Sequence, residues 1–459
     1  MKKKNSMLEG SVLKSIILFA LPIMVSSLLQ YNYSFIDNII VGRYIDTNAL
    51  AAVGSVGAIG SFCVGAALGL TSGFTIPVAH AFGAGDKKMV NKYSGSAVIV
   101  ALVIGTVAVV FAHLISRPLL EVMGTPAEII DDAAAYVNIL YFGIPVQMLS
   151  NCFTAISRSV GESKKPLYFF TVSVIVNFIL DIIFVKYFRW GVEGAAFATL
   201  ISNVVAALLT GIYIFRFNSE INVKKSDFKP DYKIAWYQIK LGIPVSLQFT
   251  VTSIGSMAMQ SAVNSFGTNV IAGFTAAGKV ERLANIPLSG LGVANQTFVG
   301  QNYGAKNYER IIKSVKKILI LDLSVSVLMS LFLVGAGPFL VKLFMTEVNE
   351  EMVYAAGRYL VATAQCFSLV AILFVMRNSL QGMGFTYANT IAGAGELVGR
   401  IAIALVFTKL IGFAAVCYSA PAAWLLADIP LIIIYLHKKK QFRKIIKEEK
   451  LITETAQTE

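Results

Sequence analysis

Twelve long apolar segments, separated by short polar ones, run the length of this chain. A helix that spans a bilayer needs about 20 predominantly apolar residues. Charged residues make up only 14% of the 459 positions, against about 25% in soluble domains. The sequence therefore predicts an all-α polytopic membrane protein with twelve transmembrane helices. The segments lie roughly at 15–38, 49–80, 94–115, 133–156, 167–187, 192–215, 237–262, 270–298, 313–335, 353–376, 387–410 and 412–436.

Lysine and arginine are distributed unevenly between the two sets of loops. The termini and the loops after even-numbered segments hold about 29 of the 39 basic residues, a bias typical of the cytoplasmic side. Both termini are therefore predicted to be cytoplasmic. This bias also accounts for the net charge of +13, so we expect contact with membrane lipids and none with nucleic acid.

The two halves of the chain repeat each other at a spacing of about 221 residues. TNALA at 47–51 matches TNVIA at 268–272, and GVEGA at 191–195 matches GFAAV at 412–416. Each half has an even number of helices, so both insert in the same direction and form a parallel pseudo-two-fold repeat of two six-helix bundles. Such repeats are typical of transporters with a substrate path between the halves.

The polar segments divide this repeat into domains. We predict an N-lobe at 1–216, a cytoplasmic linker at 217–236, a C-lobe at 237–437 and a charged cytoplasmic tail at 438–459.

Ionisable residues at membrane depth are costly, so each one is a functional candidate. Asp181 lies about 13 residues into its segment, near the bilayer middle at a rise of about 1.5 Å per residue. Asn177, four residues earlier, shares its helical face. A carboxylate beside an amide oxygen can bind a proton or a hard cation such as Na⁺. The alternative is an Asp–Asn hydrogen bond that only joins helices.

Two other acidic residues can each be interpreted in two ways. Asp37 either belongs to a cation site or lies near the outer interface, where water solvates it. Glu281, next to Arg282, either neutralises a basic neighbour or lines the transport pathway.

Three further acids are predicted to have local partners. Glu396 and Arg400 are four residues apart and are expected to form an ion pair within one helix. Asp322, near the cytoplasmic lysines of its segment, and Asp428, near Pro430, are expected to have local roles rather than to bind ions.

Several motifs, in order along nearly the whole chain, together resemble the multidrug and toxic compound extrusion (MATE) family. The strongest is NFILD at 177–181 followed by GVEGAAFAT at 191–199, which is similar to the family's N-x-x-x-D…G-x-x-G-A-A-x-A-T signature. Further matches are LPIM at 21–24, DNIIVG at 37–42 and GQNYGA at 300–305.

This resemblance implies N- and C-lobes around a central cleft, and a monomeric antiporter in a prokaryotic-type plasma (inner) membrane. Such a protein exports drug-like, often cationic organic compounds against H⁺ or Na⁺ by alternating access, and it is neither an enzyme nor dependent on a cofactor. The chain resembles the DinF-like branch more than the NorM-like branch. That branch's coupling network matches Asp37, Asn177, Asp181 and Thr199, which would also hold any Na⁺.

The chain departs from the NorM-like pattern in the seventh and tenth segments, which lack that branch's carboxylates. The candidates for a substrate cavity in this half are Gln248, Gln260, Glu281 and Arg282. In the first segment, Pro22 is either a hinge or a static kink.

Two other functions remain open. A flippase for lipid-linked saccharides, from the same superfamily, often has fourteen helices and a more cationic cavity. A membrane-embedded transferase would need clustered aspartates or a histidine-centred site, and the one adjacent acidic pair, Asp131 and Asp132, lies in an outer loop.

Overall fold

A computed structural model describes residues 7–44, 63–122, 130–344 and 349–458, and this part of the chain is helical with no strands. Before the linker, the helices are α1 (Val12–Tyr44), α2 (Cys63–Gly83), α3 (Lys87–Val122), α4 (Ile130–Phe142), α5 (Ile144–Ser159), α6 (Lys164–Asp181) and α7 (Gly191–Ile212). After it come α8 (Tyr232–Asn264), α9 (Thr268–Gly304), α10 (Tyr308–Gly335), α11 (Gly337–Leu343), α12 (Glu350–Gln365), α13 (Phe367–Gly382), α14 (Tyr387–Ala402), α15 (Thr408–Ile411), α16 (Phe413–Cys417) and α17 (Ser419–Thr458).

Within the described ranges, nine helices are long and apolar enough to cross a membrane. The number is eleven if two bent pairs, α4 with α5 and α12 with α13, each count as one span; these pairs bend by 46° and 54°. Helix α9 has 37 residues but is less apolar, and it coincides with the predicted segment 270–298. Each predicted segment overlaps a helix, so the all-α polytopic fold is confirmed.

The outward faces of these helices are apolar. On α3, Val103, Phe111 and Leu114 have 55%, 63% and 69% of their surface exposed. Exposing apolar surface to water costs about 25 cal/mol per Å², a cost that a lipid environment removes. Together with the helix lengths, these faces identify an integral membrane protein.

The internal repeat extends to the irregular parts of the helices. A π-helix at Ile182–Tyr187 follows α6, and another at Ile403–Phe407 follows α14. Gly191 and Gly412, about 221 residues apart, adopt φ values of 61° and 62°. Glycine has no Cβ to oppose this left-handed conformation, so the two halves share a fold down to these positions.

The chain forms two compact units. The first unit is Val25–Ser246, and the second unit combines Met1–Met24 with Leu247–Glu459. Both boundaries fall inside long helices, two residues after Pro22 in α1 and two residues after Pro244 in α8. Each of these helices therefore belongs partly to one unit and partly to the other.

Residues 217–236 belong to the first unit, and they include a short 3₁₀ helix at Lys225–Phe228. Lys92 Nζ donates a hydrogen bond to Asp231 Oδ2 at 2.7 Å. The backbone N–H of Asn222 donates to Asn91 Oδ1 at 2.9 Å. The division of the chain into lobes at this linker stays a prediction.

Helices α2 and α8 approach each other closely inside the first unit. A Cβ added at Gly73 would lie 2.3 Å from Gly242 Cα, much closer than two carbon atoms can approach. Glycine at this position lets the two backbones touch.

Candidate functional site

Asn177 and Asp181 lie at the end of α6 and are buried, each with 1% of its surface exposed. Their four-residue spacing puts them on one helical face, as the sequence predicts. Asp181 is the last residue of α6, and the π-helix begins directly after it. Single π-helical turns within helices occur frequently at functional sites, so this is a suitable position for a reactive carboxyl group.

Hydrogen bonds at and near Thr199 connect α7 to α1 and to α6. The Tyr33 hydroxyl donates a hydrogen bond to Thr199 Oγ1 at 3.3 Å. Ser202 Oγ donates to the Thr199 carbonyl at 2.9 Å, and Ser173 Oγ donates to the Ser202 carbonyl at 2.8 Å. Tyr33 could not be identified from the sequence, because no spacing rule connects it to Thr199, 166 residues away.

A cavity of about 250 Å³ lies inside the first unit, and Tyr33 and Thr199 line it. Its lining combines apolar and aromatic side chains with a few polar ones, among them Gln30, Gln147 and Asn203. This mixture is typical of sites that bind small molecules or hydrated ions. The hydrogen bond between Tyr33 and Thr199 is thus formed at the wall of an internal space.

Asp37 belongs to α1, but its side chain lies outside the described part of the structure. Of the four predicted coupling residues, the structure therefore places the side chains of Asn177, Asp181 and Thr199 in the first unit.

The second unit contains a buried group of charged residues that the sequence predicted only in part. Arg400 Nη1 lies 3.1 Å from Glu396 Oε2, which confirms the predicted ion pair. The other oxygen, Oε1, pairs with Arg377 of α13. Thr252 of α8 also donates a hydrogen bond to Glu396, at 3.3 Å. Glu396 thus holds two guanidinium groups together.

Arg377 is the residue of this group that sequence reasoning missed. The predicted tenth segment ends at residue 376, which leaves Arg377 in a loop. In the structure α13 continues to Gly382, and only 9% of the Arg377 surface is exposed. No sequence spacing could have linked it to Glu396, because the two residues lie on separate helices.

Glu281 of α9 accepts hydrogen bonds from the Tyr359 hydroxyl at 2.6 Å and from Asn285 Nδ2 at 3.4 Å. Arg282, its neighbour in sequence, is exposed. The charges of Arg400 and of the adjacent Arg282 both act on Glu281.

The two glutamines of α8 have different surroundings. Gln248 is buried with 4% of its surface exposed, and it packs against Gly393 of α14. Gln260 is half-buried and donates a hydrogen bond to Asn264 Oδ1 at 3.1 Å.

Asp322 and Asp428 differ from the sequence-based expectation of local partners. Asp322 is fully buried, and Asp428 has 2% of its surface exposed. In the described part of the chain, neither carboxyl group has a hydrogen-bond partner on either oxygen. Burial separates Asp322 from the solvated lysines near it in sequence, so the predicted local pairing is wrong.

Comparison with known proteins adds to this geometry. The MatE family model matches the chain twice, over residues 22–183 and 244–406, which together cover more than half of it. The matches begin at Pro22 and Pro244, so they confirm the internal repeat found in the sequence.

Full-length relatives and solved structures agree with this match. The chain is 26% identical over 454 residues to "Probable multidrug resistance protein YoeA" of Bacillus subtilis (strain 168), covering 95% of this chain and 97% of the relative. It is 29% identical over 378 residues to "Probable multidrug resistance protein YpnP" of the same organism, covering 82% and 84%.

A solved structure described as the "Outward-facing conformation of a multidrug resistance MATE family transporter of the MOP superfamily" shares the fold. The TM-score is 0.90 at 23% identity, covering 96% of this chain and 99% of that chain. With two matches to one family model and relatives along its whole length, this chain belongs to the multidrug and toxic compound extrusion (MATE) family of membrane transporters.

Proposed function

We propose that this protein is a secondary active exporter of drug-like, often cationic organic compounds. It works by alternating access and exchanges its substrate for H⁺ or Na⁺ across a prokaryotic-type plasma membrane, with both termini in the cytoplasm. The relatives named as multidrug resistance proteins support the substrate class. We also propose that it acts as a monomer.

The observation that carries the proposal is the buried pair Asn177 and Asp181. A carboxyl group held away from water strongly favours the bound form of a proton or cation over the bare charge. We assign the coupling site to Asp37, Asn177, Asp181 and Thr199, with Asp37 assigned from its match to the DinF-like pattern. The hydroxyl of Thr199 adds an oxygen ligand at the wall of the first-unit cavity.

We propose Pro22 as the hinge that transmits cation binding. Its helix begins in the second unit and ends in the first unit. A proline inside a helix lowers the resistance to bending at that point. A change of charge in the first unit therefore has a covalent route to the second unit through α1.

Gln248, Gln260, Glu281 and Arg282 are the proposed substrate contacts of the C-lobe. Gln260 and Arg282 are accessible, whereas Gln248 is buried and Glu281 is bound to Tyr359 and Asn285. We therefore expect Gln260 and Arg282 to contact substrate first.

The test is transport in proteoliposomes that contain the purified full-length chain. Fluorescent cationic dyes are supplied under an imposed H⁺ gradient, an imposed Na⁺ gradient, or neither. Dye movement driven by one gradient supports antiport and names the ion. Dye movement that ignores both gradients would exclude the proposed coupling, and movement of a lipid-linked saccharide instead would favour a flippase.

A further inference from the structure

Five ionisable side chains of the second unit act on one another through their charges. They are Glu281 of α9, Arg377 of α13, Glu396 and Arg400 of α14, and Asp428 of α17. Arg400 and Arg377 both pair with Glu396. Helix α17 packs against both α13 and α14, and a Cβ added at Gly395, next to Glu396, would lie 2.7 Å from the carbonyl oxygen of Leu426, two residues before Asp428. In these surroundings the charge of Arg377 acts on Asp428, and that of Arg400 acts on Glu281. We call these five residues the charged chain.

The charged chain contains three carboxyl groups and two guanidinium groups, and Glu281 is also next to Arg282, whose charge acts on it. Arginine stays protonated in proteins, so a carboxylate close to one of these guanidinium groups is compensated. Burying a carboxylate that is neither paired nor hydrogen-bonded is unfavourable. We therefore expect a carboxyl group of the chain that lacks such partners to carry a proton or hold a cation.

The hydrogen bonds identify which carboxyl group this is. Glu396 is held by both arginines and by Thr252. Glu281 accepts hydrogen bonds from Tyr359 and Asn285. Asp428 is 2% exposed, and in the described part of the chain neither of its oxygens has a hydrogen-bond partner. A neutral carboxyl group tolerates such surroundings better than a carboxylate does.

The surroundings of Asp428 also favour a proton over a metal ion. A hard cation is usually bound by several oxygen ligands, and among the described residues no group of three or more acidic, histidine or cysteine side chains is placed so that it could hold a metal ion. Arg377, the cation that acts on Asp428, would repel a second one.

We propose that Asp428 is a proton-binding site of the second unit, with Arg377 and Glu396 as the groups that respond to its protonation. When Asp428 loses its proton, it competes with Glu396 for the guanidinium group of Arg377. Arg377 lies on α13, Glu396 on α14 and Asp428 on α17. Protonation of Asp428 therefore determines whether the guanidinium group of α13 pairs with the carboxylate of α14 or with that of α17.

Other helices also pack against α17 and carry charged groups. Helix α10 carries the buried Asp322, and α12 carries Arg358, whose guanidinium lies over the Tyr354 ring. Helix α16, which also packs against α17, carries the buried Cys417. Of these groups, Arg377 and Glu396 are the ones whose charges act on Asp428. The coupling of this proton to export rests on the proposed function, whereas its presence on Asp428 does not.

Infrared difference spectroscopy of the full-length protein in lipid nanodiscs tests the site directly. The protein is labelled with ¹³C at the aspartate carboxyl carbon and titrated from neutral to alkaline pH. We expect a protonated carboxyl C=O signal at neutral pH that shifts with the label and falls as the pH rises, and we expect one component of it, the Asp428 band, to be missing from Asp428→Asn. The matched control is Asp322→Asn, which removes the other buried aspartate without a hydrogen-bond partner and should keep the Asp428 band.

A label-sensitive signal of the same intensity in Asp428→Asn and in the unsubstituted protein, or the absence of any such signal in the unsubstituted protein, would overturn the proposal. If Asp428→Asn does not fold, the variant Asp37→Asn/Asp181→Asn/Asp322→Asn must retain the band, and its loss there would overturn the proposal instead. Gradient-driven dye export measured on the same preparations separates the two ideas. Export without the band removes only the proton site, and the band without gradient-driven export removes only the antiport function.

Discussion

Pro22 and Pro244 occupy equivalent positions in the two halves of the chain. Each lies inside a 33-residue helix, two residues before the chain passes from one compact unit to the other. Proline removes one hydrogen bond of the helix and crowds the preceding turn. Helices α1 and α8 are thus easiest to bend close to the points where they pass from one unit to the other. This supports Pro22 as a hinge and makes Pro244 its counterpart.

Replacing Pro22 with alanine should slow export. The substitution restores a backbone donor and removes the clash of the ring, which favours a straight α1 by up to about 3 kcal/mol. We expect a lower initial efflux rate with unchanged or higher thermal stability, measured on the same vesicles. Pro166→Ala is the matched control, because Pro166 is buried in the first turn of α6, where proline is tolerated. An unchanged efflux rate in Pro22→Ala would show a static kink.

Tyr33→Phe and Thr199→Val should separate a structural hydrogen bond from a coupling oxygen. Both variants lose the bond between these residues, which contributes about 0.5–1.5 kcal/mol, so both should melt at slightly lower temperature. Only Thr199→Val loses the hydroxyl oxygen of the proposed cation site. We expect the response of export to the ion gradient to weaken in Thr199→Val and to persist in Tyr33→Phe. An equal loss in both variants would assign the effect to the hydrogen bond.

Glu396 should be the most stabilising residue of the charged chain. Glu396→Gln leaves both Arg377 and Arg400 without a carboxylate, whereas Arg377→Gln leaves Glu396 paired with Arg400. Breaking a buried ion pair typically costs about 3–5 kcal/mol, so Glu396→Gln should lower the unfolding temperature more than Arg377→Gln does. The double variant should recover part of the loss, since fewer charges remain unpaired. Strictly additive effects would argue against direct pairing.

The ion pair between Lys92 and Asp231 should make stability depend on pH. The hydrogen bond from Lys92 holds the pKa of Asp231 below its usual range. Because the folded-state pKa is the lower one, the pair stabilises the protein above the unfolded-state pKa of about 3.9. This contribution is lost as the pH falls through the folded-state pKa.

Thermal melts of the wild type and of Asp231→Asn across this range check the prediction. The wild type should be more stable at neutral pH, and the difference should disappear in acid. In a Lys92→Gln background the same substitution should have a smaller effect. A difference that does not change with pH would point to a cause other than this ion pair.

The sequence predicts the helices well because bilayer thickness imposes a length and an apolar composition on each one. The same physics exposes Asp181, since a charge in an apolar segment stands out. Its partner Asn177 follows from helical periodicity alone. The ion pair between Glu396 and Arg400 could be predicted for the same reason, because both residues lie on one helix.

Contacts between helices could not be predicted from the sequence. Arg377 lies just beyond an apolar segment and looks like a loop residue until α13 is seen to continue and bury it. Asp428 becomes a candidate proton site because of Arg377 and Glu396, which lie on two other helices. The unit boundaries inside α1 and α8 were also hidden, because a continuous apolar helix gives no sign of changing units.

The most direct test of the account is gradient-driven export by proteoliposomes containing the wild type, Asp37→Asn or Asp181→Asn. Asparagine preserves the shape of the side chain and removes its ability to take up a proton or balance a cation. We expect dye export driven by an H⁺ or Na⁺ gradient in the wild type and its loss in each variant, with normal expression and folding. Export at the wild-type rate by both variants would contradict the proposed coupling.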